Sequence, residues 1–442
     1  MPPPPVSPLK LPALTSPAPI LARLEAGGIR LGLEPTRDLL VRLGSPHLRS
    51  PAVLVAGSNG KGSTSALLAA MATAAGYRTG HYTSPHLEFV EERLRIDGIP
   101  IATERLGDLL REIVDTAEQS CGAPPTYFEA LTVAAFRWFA EEEVDLAVLE
   151  VGLGGRLDAT NLSEPLLSLV TSISLEHREY LGDTLDAIAR EKAGVFRPGR
   201  PALAWVADPE PRAALEDAAR ERRTALRFAQ DLTRIEAAEP ADWSGQRVRL
   251  VTPGGEHDLR IALLGAHQQR NLALAVLAAE TLAANGFPRL GQEAIAAGAA
   301  SCRWPGRLEA VELPGGRRVL LDAAHNAEGT AALGDFLAAL DTPVDLLFGV
   351  LVDKDAAEML SHLAPRARRL VLTTPTTPRA QSPDALLPLL GGRENVEVEP
   401  DPGKALDRLL DAAGETVVVC GSIYLIGEIR TRLRERFGVP NP

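Results

Sequence analysis

Val53-Leu54-Val55-Ala56-Gly57-Ser58-Asn59-Gly60-Lys61-Gly62-Ser63-Thr64 is the stretch on which the fold turns. A β-branched apolar run enters a glycine-rich turn with one lysine, and helix formers follow over residues 65–75. Strand, loop and helix N-terminus in that order cradle an anion, because unpaired backbone N–H groups and the helix dipole both face the loop. Gly57, Gly60 and Gly62 let the backbone approach a cluster of oxygens closely. Lys61 is placed to reach β- and γ-phosphates, and the hydroxyl of Ser63 or Thr64 to ligate Mg²⁺. The spacing departs from the general phosphate-loop pattern G-x-x-x-x-G-K-[ST], since Gly57 lies only three before Gly60 and Gly62 precedes Ser63. Two readings therefore stand at this point: a nucleotide site of unusual spacing, or a strand-to-helix turn whose glycines serve tightness alone.

The chain of 442 residues exceeds what one core organises, so two domains are expected. It is 45% hydrophobic with average charge content, the composition of a soluble globular protein. No apolar run approaches the length of a membrane span, so no membrane partner is expected. The net charge of −12 argues against a general nucleic-acid surface, and a nucleotide must then be held by local groups and a metal ion. Cys121, Cys302 and Cys420 show neither metal spacing nor a disulfide framework, which fits a cytoplasmic location. Residues 1–19 are proline-rich, lack the pattern of a signal peptide, and are expected to form a disordered tail. A monomer is expected.

Residues 20–43 read as helical pieces, and residues 78–82 as a short strand running into Thr83-Ser84-Pro85-His86-Leu87. Residues 104–117 and 127–142 carry helical periodicity. Residues 144–151 read as a buried strand that ends in Glu150 and a glycine-rich loop over 152–161. Residues 166–173 are a further strand, closing at Glu176-His177, and 183–192 a helix stopped by Gly194. Residues 201–262 read as peripheral strands and turns, and an alanine-rich helix follows Gly265. A second α/β pattern starts near Cys302, with strands over 318–322, 344–350, 369–374, 396–399 and 416–420. The Trp304-Pro305-Gly306 punctuation puts the boundary near residue 300 and gives domains over 20–300 and 301–442. The fold class is α/β: an N-terminal phosphate-loop-type domain with a mostly parallel sheet, then a smaller Rossmann-like domain. Functional groups gather at the carboxyl ends of such strands, and Ser63, Ser84, Glu150 and His177 all fall there.

Glu150 ends an apolar strand, where a carboxylate is costly unless it meets a cation or water. It reads either as a Mg²⁺ ligand or as a solvated strand end. His177 reads as a metal ligand or proton carrier, or as an incidental loop histidine. Asp322-Ala323-Ala324-His325-Asn326 suits a ribose or a phosphate, and equally a polar turn. Lys192 closes a helix, and its favourable position on the dipole accounts for it without any function. Arg303 and Arg307 flank the interdomain turn, as phosphate grips or as solvated arginines.

Taken together, these motifs resemble one family, the folylpolyglutamate synthase and dihydrofolate synthase group of the Mur-ligase superfamily. The resemblance rests on residues 56–63, on Thr83-Ser84-Pro85-His86-Leu87, on Thr126-Tyr127-Phe128-Glu129 and on the glycine-rich run over 149–161. Glu191-Lys192-Ala193-Gly194, Pro305-Gly306-Arg307, Asp322-Ala323-Ala324-His325-Asn326 and Cys420-Gly421-Ser422 continue it in family order. The loop spacing that departs from the general pattern is this family's own. The resemblance implies an ATP-dependent ligase of folate and one-carbon metabolism. A substrate carboxylate is phosphorylated and the amine of L-glutamate then displaces phosphate. Carried over by residue, Ser58, Asn59, Gly60, Lys61, Gly62 and Ser63 would cradle ATP. Asn271, Arg307 and Asp322 would meet the nucleotide, and Ser84, Glu150 and His177 would bind Mg²⁺. Lys192 matches the lysine that the family carbamylates, and as a carbamate would hold a second Mg²⁺. Lys61, His177, Lys192 and His325 are thereby the catalytic candidates. Thr126, Tyr127, Phe128, Glu129, Leu157, Asp158 and Ala159 match pterin-contacting segments, and Ser422 is a further substrate candidate. Glu176 stands where an aspartate usually precedes the histidine, and Ala327-Glu328 where a proline is usual.

The resemblance favours an enzyme acting on both dihydropteroate and the γ-glutamyl tail of reduced folates. The alternatives are a monofunctional folylpolyglutamate synthase, another Mur-type amide ligase, and a nucleotide-binding switch without ligase chemistry.

Overall fold

The apolar run before the glycine-rich loop forms β1 (Ala52–Ala56), and every residue of it is buried. A strand covered on both faces needs an unbroken apolar run, so no alternation marks it. The computed structural model describes residues 16–440 apart from 26, 27, 29, 31, 121–123, 239–242, 341–342 and 412–414. Cys121 and residues 1–15 of the expected tail lie outside the described residues, and a helix, Ala18–Glu25, begins just before that tail's expected end.

Around β1 lie β2 (Thr79–Tyr82), β3 (Leu94–Ile96), β4 (Ile99–Pro100), β5 (Leu146–Glu150), β6 (Pro165–Val170), β7 (Pro201–Ala204) and β8 (Ala225–Phe228). They form one sheet in the order β4-β3-β2-β5-β1-β6-β7-β8. It is parallel from β2 to β8 and antiparallel only at the β2–β3–β4 edge. Val53 and Val55 pack on one face with the helices Lys61–Ala74 and Ala266–Ala283. Ala52, Leu54 and Ala56 pack on the other with Thr103–Ser120 and Tyr127–Glu141.

Residues 201–262 depart from the expectation of peripheral strands and turns. β7 and β8 extend the main parallel sheet, and a helix, Pro209–Arg222, joins them. Its buried positions are Pro211, Ala214, Leu215, Ala218 and Ala219. Alanines carry little hydrophobic contrast among the charged residues around them, so the helical period is faint in the sequence. A small antiparallel sheet follows, of β9 (Arg234–Ala238), β10 (Gln246–Thr252) and β11 (Gly255–Ile261). Along β10 burial alternates residue by residue, as one covered face requires.

The second α/β pattern folds as β12 (Glu309–Glu312), β13 (Arg318–Leu321), β14 (Val344–Phe348), β15 (Ala367–Leu372), β16 (Val396–Val398) and β17 (Thr416–Cys420). Their order is β12-β13-β17-β14-β15-β16, with only β12 antiparallel. Ala327–Ala339 and Ala356–Leu363 cover one face, and Pro402–Asp411 and Ile423–Phe437 the other. The loops after β1 and after β13 meet, where Asn326 Nδ2 donates to Asn59 Oδ1 at 3.1 Å. The loops at the carboxyl ends of β1 and β13 thus lie against each other. No described helix is long and apolar enough to cross a membrane.

Candidate nucleotide and metal site

The loop after β1 is held from the strand beside it. The Ser58 amide donates to the Ser172 carbonyl at 2.9 Å, the Asn59 amide to Ser172 Oγ at 2.9 Å, and Thr171 Oγ1 to the Asn59 carbonyl at 2.6 Å. Gly57 has φ +145°, and a Cβ there would lie 2.0 Å from Thr171 Oγ1. Gly60, at φ +85°, begins the helix Lys61–Ala74 with no side-chain cap, so the first amides of that helix stay directed at the loop. The Lys61 ammonium folds back over this nest and donates to the carbonyls of Gly57 at 2.8 Å and Ser58 at 3.1 Å. Ser63 Oγ accepts from Gln268 Nε2 at 3.2 Å, and Gln268 accepts from Asn271 Nδ2 at 2.8 Å. Asn271 is thereby fixed beside Gly60, whose Cβ would meet its Oδ1 at 2.4 Å.

Glu150 closes β5 next to this loop and is 5% exposed. Its Oε2 accepts the Ser84 amide at 3.1 Å. Burial raises its pKa, against the pull of Lys61, the Ser84 amide, Arg307 and Arg93. A buried carboxylate under the influence of several cations, but in no ion pair among the described residues, is a fitting Mg²⁺ ligand. Among the described residues no three His, Cys, Asp or Glu side chains converge on a ready-made metal cage. Mg²⁺ suits such a site, because it takes one or two carboxylates and fills its octahedron with phosphate oxygens and water. His177 sits in the left-handed region at φ +44°, and burial lowers its pKa while Glu176 opposes the shift.

Lys192 ends the helix Leu185–Lys192, but its side chain does not serve the dipole there. It is 1% exposed and reaches back to the loop, donating to Glu176 Oε1 at 2.6 Å and to the Gly57 carbonyl at 2.9 Å. Burial lowers its pKa to about 8 in spite of Glu176. For Glu176 burial acts upward, but Lys61 and Lys192 override it and hold the carboxyl at about 2. Glu176 was missing from the candidate site residues. Its position beside His177 was the one signal that could have found it.

From the second sheet, Asp322 follows β13 and accepts the amides of Leu308 at 2.8 Å and Ala324 at 2.9 Å. Burial raises its pKa and Arg307 opposes this, which puts the guanidinium within electrostatic reach of both Asp322 and Glu150. His325 Nδ1 is 2.8 Å from the Ala323 carbonyl, so Nδ1 carries the proton and Nε2 is the free acceptor. Burial lowers this histidine to about 4, and it is neutral at physiological pH. Asn59 also donates to Glu328, a residue that stands where the family usually has a proline.

The expected substrate segments are tightly engaged. Thr126 and Glu129 form a capping box on Tyr127–Glu141, and Glu129 also binds Thr36 at 2.8 Å and Arg30 at 2.6 Å. Tyr127 lies under Arg93, 5.1 Å from ring to guanidinium carbon, and Phe128 packs against Gly152. Asp158 accepts the amides of Gly152 at 3.0 Å, Leu153 at 2.9 Å and Thr160 at 3.0 Å, and the Thr160 hydroxyl at 2.6 Å. Leu157 and Ala159 flank it, half-buried and buried. Ser422 is buried and caps Ile423–Phe437 by accepting the Tyr424 amide at 3.2 Å.

This geometry is that of a nucleotide-binding α/β protein, in which the glycine-rich loop of the first sheet meets a loop of the second. The model of the Mur ligase middle domain matches residues 55–279, and that of the Mur ligase glutamate ligase domain residues 306–423. The chain is 36% identical over 419 residues to the dihydrofolate synthase/folylpolyglutamate synthase of Bacillus subtilis, covering 92% of this chain and 96% of that one. The Escherichia coli protein of the same name is 34% identical over 414 residues, 92% of this chain and 93% of that one. The folylpolyglutamate synthase of Mycobacterium tuberculosis complexed with ADP superposes with a TM-score of 0.87 at 33% identity, over 96% of this chain and 100% of that one. Escherichia coli FolC in complex with DHPP and ADP gives a TM-score of 0.84 at 32% identity, over 95% and 97%. The chain belongs to the dihydrofolate synthase/folylpolyglutamate synthase family of Mur ligases.

Proposed function

We infer that this protein is an ATP-dependent ligase that joins L-glutamate to dihydropteroate and to the γ-glutamyl tail of reduced folates. The observation that carries this reading is the convergence of both sheets on the phosphate loop, through Asn59 and Asn326 at 3.1 Å. Relatives bearing both activities in their names, and a relative's complex with DHPP and ADP, support the substrate class. In this reading the two domains divide near residue 300, and Ser58 to Ser63 bind the triphosphate through loop amides and the Lys61 ammonium. Glu150, Ser84 and His177 would hold Mg²⁺, whose charge stabilises the phosphates during attack by the substrate carboxylate. Carbamylated Lys192 would hold a second ion. Its amine, brought to about 8 by burial, is the group that carbon dioxide needs in neutral form. Arg307 and Asp322 grip the nucleotide from the second domain, and Asn271 from the first. The substrate carboxylate attacks the γ-phosphorus and ADP leaves. The amine of L-glutamate then attacks the acyl phosphate, and an amide and inorganic phosphate result. His325, neutral with Nε2 free, is suited to take the proton that the amine sheds. Phosphate release with Mg-ATP and L-glutamate tests the assignment, comparing dihydropteroate with a reduced folate monoglutamate. Turnover with both is expected. Turnover with one alone leaves a single activity, and turnover with neither overturns the reading.

A further inference from the structure

The segment between β2 and β3 is tied down along its length. The Ser84 amide donates to Glu150 at 3.1 Å, and the Thr83 amide to the Arg93 carbonyl at 2.9 Å. The amides of Leu87, Glu88 and Phe89 all donate to Glu92, at 2.8, 2.7 and 2.6 Å. Arg93 Nε donates to His86 Nδ1 at 3.0 Å. Hydrogen bonds thus hold this segment at Thr83 and Ser84 and again from His86 to Phe89, so a shift of Glu88 is passed toward Ser84.

The Glu88 side chain leaves its own domain. It is 1% exposed and lies against Ile423–Phe437 of the second domain. It accepts from Arg430 Nη1, from Thr431 Oγ1 at 2.9 Å and from Arg434 Nε at 3.1 Å. Arg430 directs its other nitrogens at Glu309, with Nε 3.0 Å from Oε2 and Nη2 3.0 Å from Oε1, and Nη2 also donates to the Pro440 carbonyl at 2.9 Å. Glu309 Oε2 in turn accepts the Gly306 amide at 2.9 Å, one residue before Arg307. The other side of that turn is fixed by the Ala323 amide on the Gly306 carbonyl at 2.8 Å and by Asp322 on the Leu308 amide. The backbones also touch, since a Cβ on Gly427 would meet the Leu87 carbonyl at 2.1 Å. None of Glu88, Arg430 and Glu309 has a part in the chemistry described above.

We propose that Glu88 and Arg430 are positioning residues for the nucleotide: the chain Glu88–Arg430–Glu309–Gly306 sets the distance between Ser84 of the first domain and Arg307 of the second. This rests on the roles given to Ser84 and Arg307 above. Both domains then grip one nucleotide only while the clasp is closed. If a fraction f of molecules is docked, the apparent dissociation constant is the intrinsic one divided by f. Opening the clasp therefore weakens nucleotide binding and raises KM for Mg-ATP, while saturating nucleotide restores the docked state and kcat.

The test compares E88Q, which keeps size and an acceptor for Thr431, with R434Q, whose arginine is 25% exposed and lies outside the Arg430–Glu309 pair. ADP affinity is read by calorimetry, interdomain spread by small-angle X-ray scattering with and without ADP, and KM and kcat by phosphate release. For E88Q, ADP affinity and KM are expected to worsen about tenfold, within the usual range of coupling between sites, with kcat within about twofold. The radius of gyration is expected to rise without ADP and return at saturation, and R434Q should move the same way by less. Unchanged ADP affinity in folded E88Q overturns the proposal, as does a fall in kcat with KM unmoved. If E88Q does not fold, R434Q decides: weakened ADP binding supports the clasp and wild-type affinity overturns it. Calorimetry and scattering need no acceptor substrate, so failure of the folate assignment leaves this test readable.

Discussion

Carbon dioxide uptake by Lys192 is expected to depend on Mg²⁺. The amine is held at about 8 by burial, so roughly a tenth of it is neutral at pH 7, against about three parts in ten thousand for a lysine at its ordinary value. That favours reaction with carbon dioxide by about 300-fold. The product, however, exchanges a cation for an anion beside Glu176, which lies 2.6 Å from the amine and is held at about 2. Two unit charges about 4 Å apart interact by about 4 kcal/mol at an effective dielectric of 20. The value of about 8 already contains the attraction to Glu176, so the new repulsion alone weighs against the carbamate, and at about 4 kcal/mol it cancels the gain of about 3 kcal/mol from neutral amine. The Lys61 ammonium nearby offsets part of this cost, and a bound divalent cation would remove the rest. The assay is carbon-13 NMR of the purified protein in labelled bicarbonate at pH 8, with Mg²⁺ and with a chelator. A carbamate resonance is expected with Mg²⁺ alone and is absent from K192A. Equal signal without Mg²⁺ refutes the electrostatic argument, and no Lys192-dependent signal in either case refutes the carbamate.

Gly57→Ala should lower ATP-dependent turnover by about a hundredfold, because its Cβ would sit 2.0 Å from Thr171 Oγ1 and displace the loop by about an ångström; steady-state kinetics on folded variant check this. Asp158→Asn turns an amide toward the Gly152 and Leu153 N–H groups, and at about 1–3 kcal/mol for each lost partner should destabilise the protein by about 2–6 kcal/mol in urea titration. A change below about 0.5 kcal/mol would show that the loop does not depend on this carboxylate. Glu150→Gln should abolish turnover at Mg²⁺ concentrations that saturate the wild type while ADP still binds by calorimetry, and full activity would remove Glu150 from the metal site.

Much of the first domain was legible because its signals are local. A buried parallel strand, a glycine turn and helix formers are each fixed by neighbours a few residues away, and so β1, its loop and the helix Lys61–Ala74 stood in the sequence. The strand ending in Glu150 and the five strands expected after residue 302 were legible for the same reason. Pro209–Arg222 was not, since its buried face is mostly alanine. Of the site, the residue types and their order could be read, and the family resemblance supplied the roles proposed for them.

What each side chain does was decided by partners far along the chain. Lys192 looked like a dipole residue, yet its ammonium meets the carbonyl of Gly57, 135 residues away, and the burial created there, with the Lys61 charge, lowers its pKa. Asp158 and Glu129 stood as substrate contacts, and the fold surrounds them with amides and hydroxyls that take up their oxygens. Glu88 carried no signal, because nothing near it in sequence tells of Arg430. Local pattern sets backbone conformation, where the interacting groups are neighbours by covalent connection. Charge state, hydrogen-bond partner and burial belong to groups that only folding brings together, and these the tertiary structure decided.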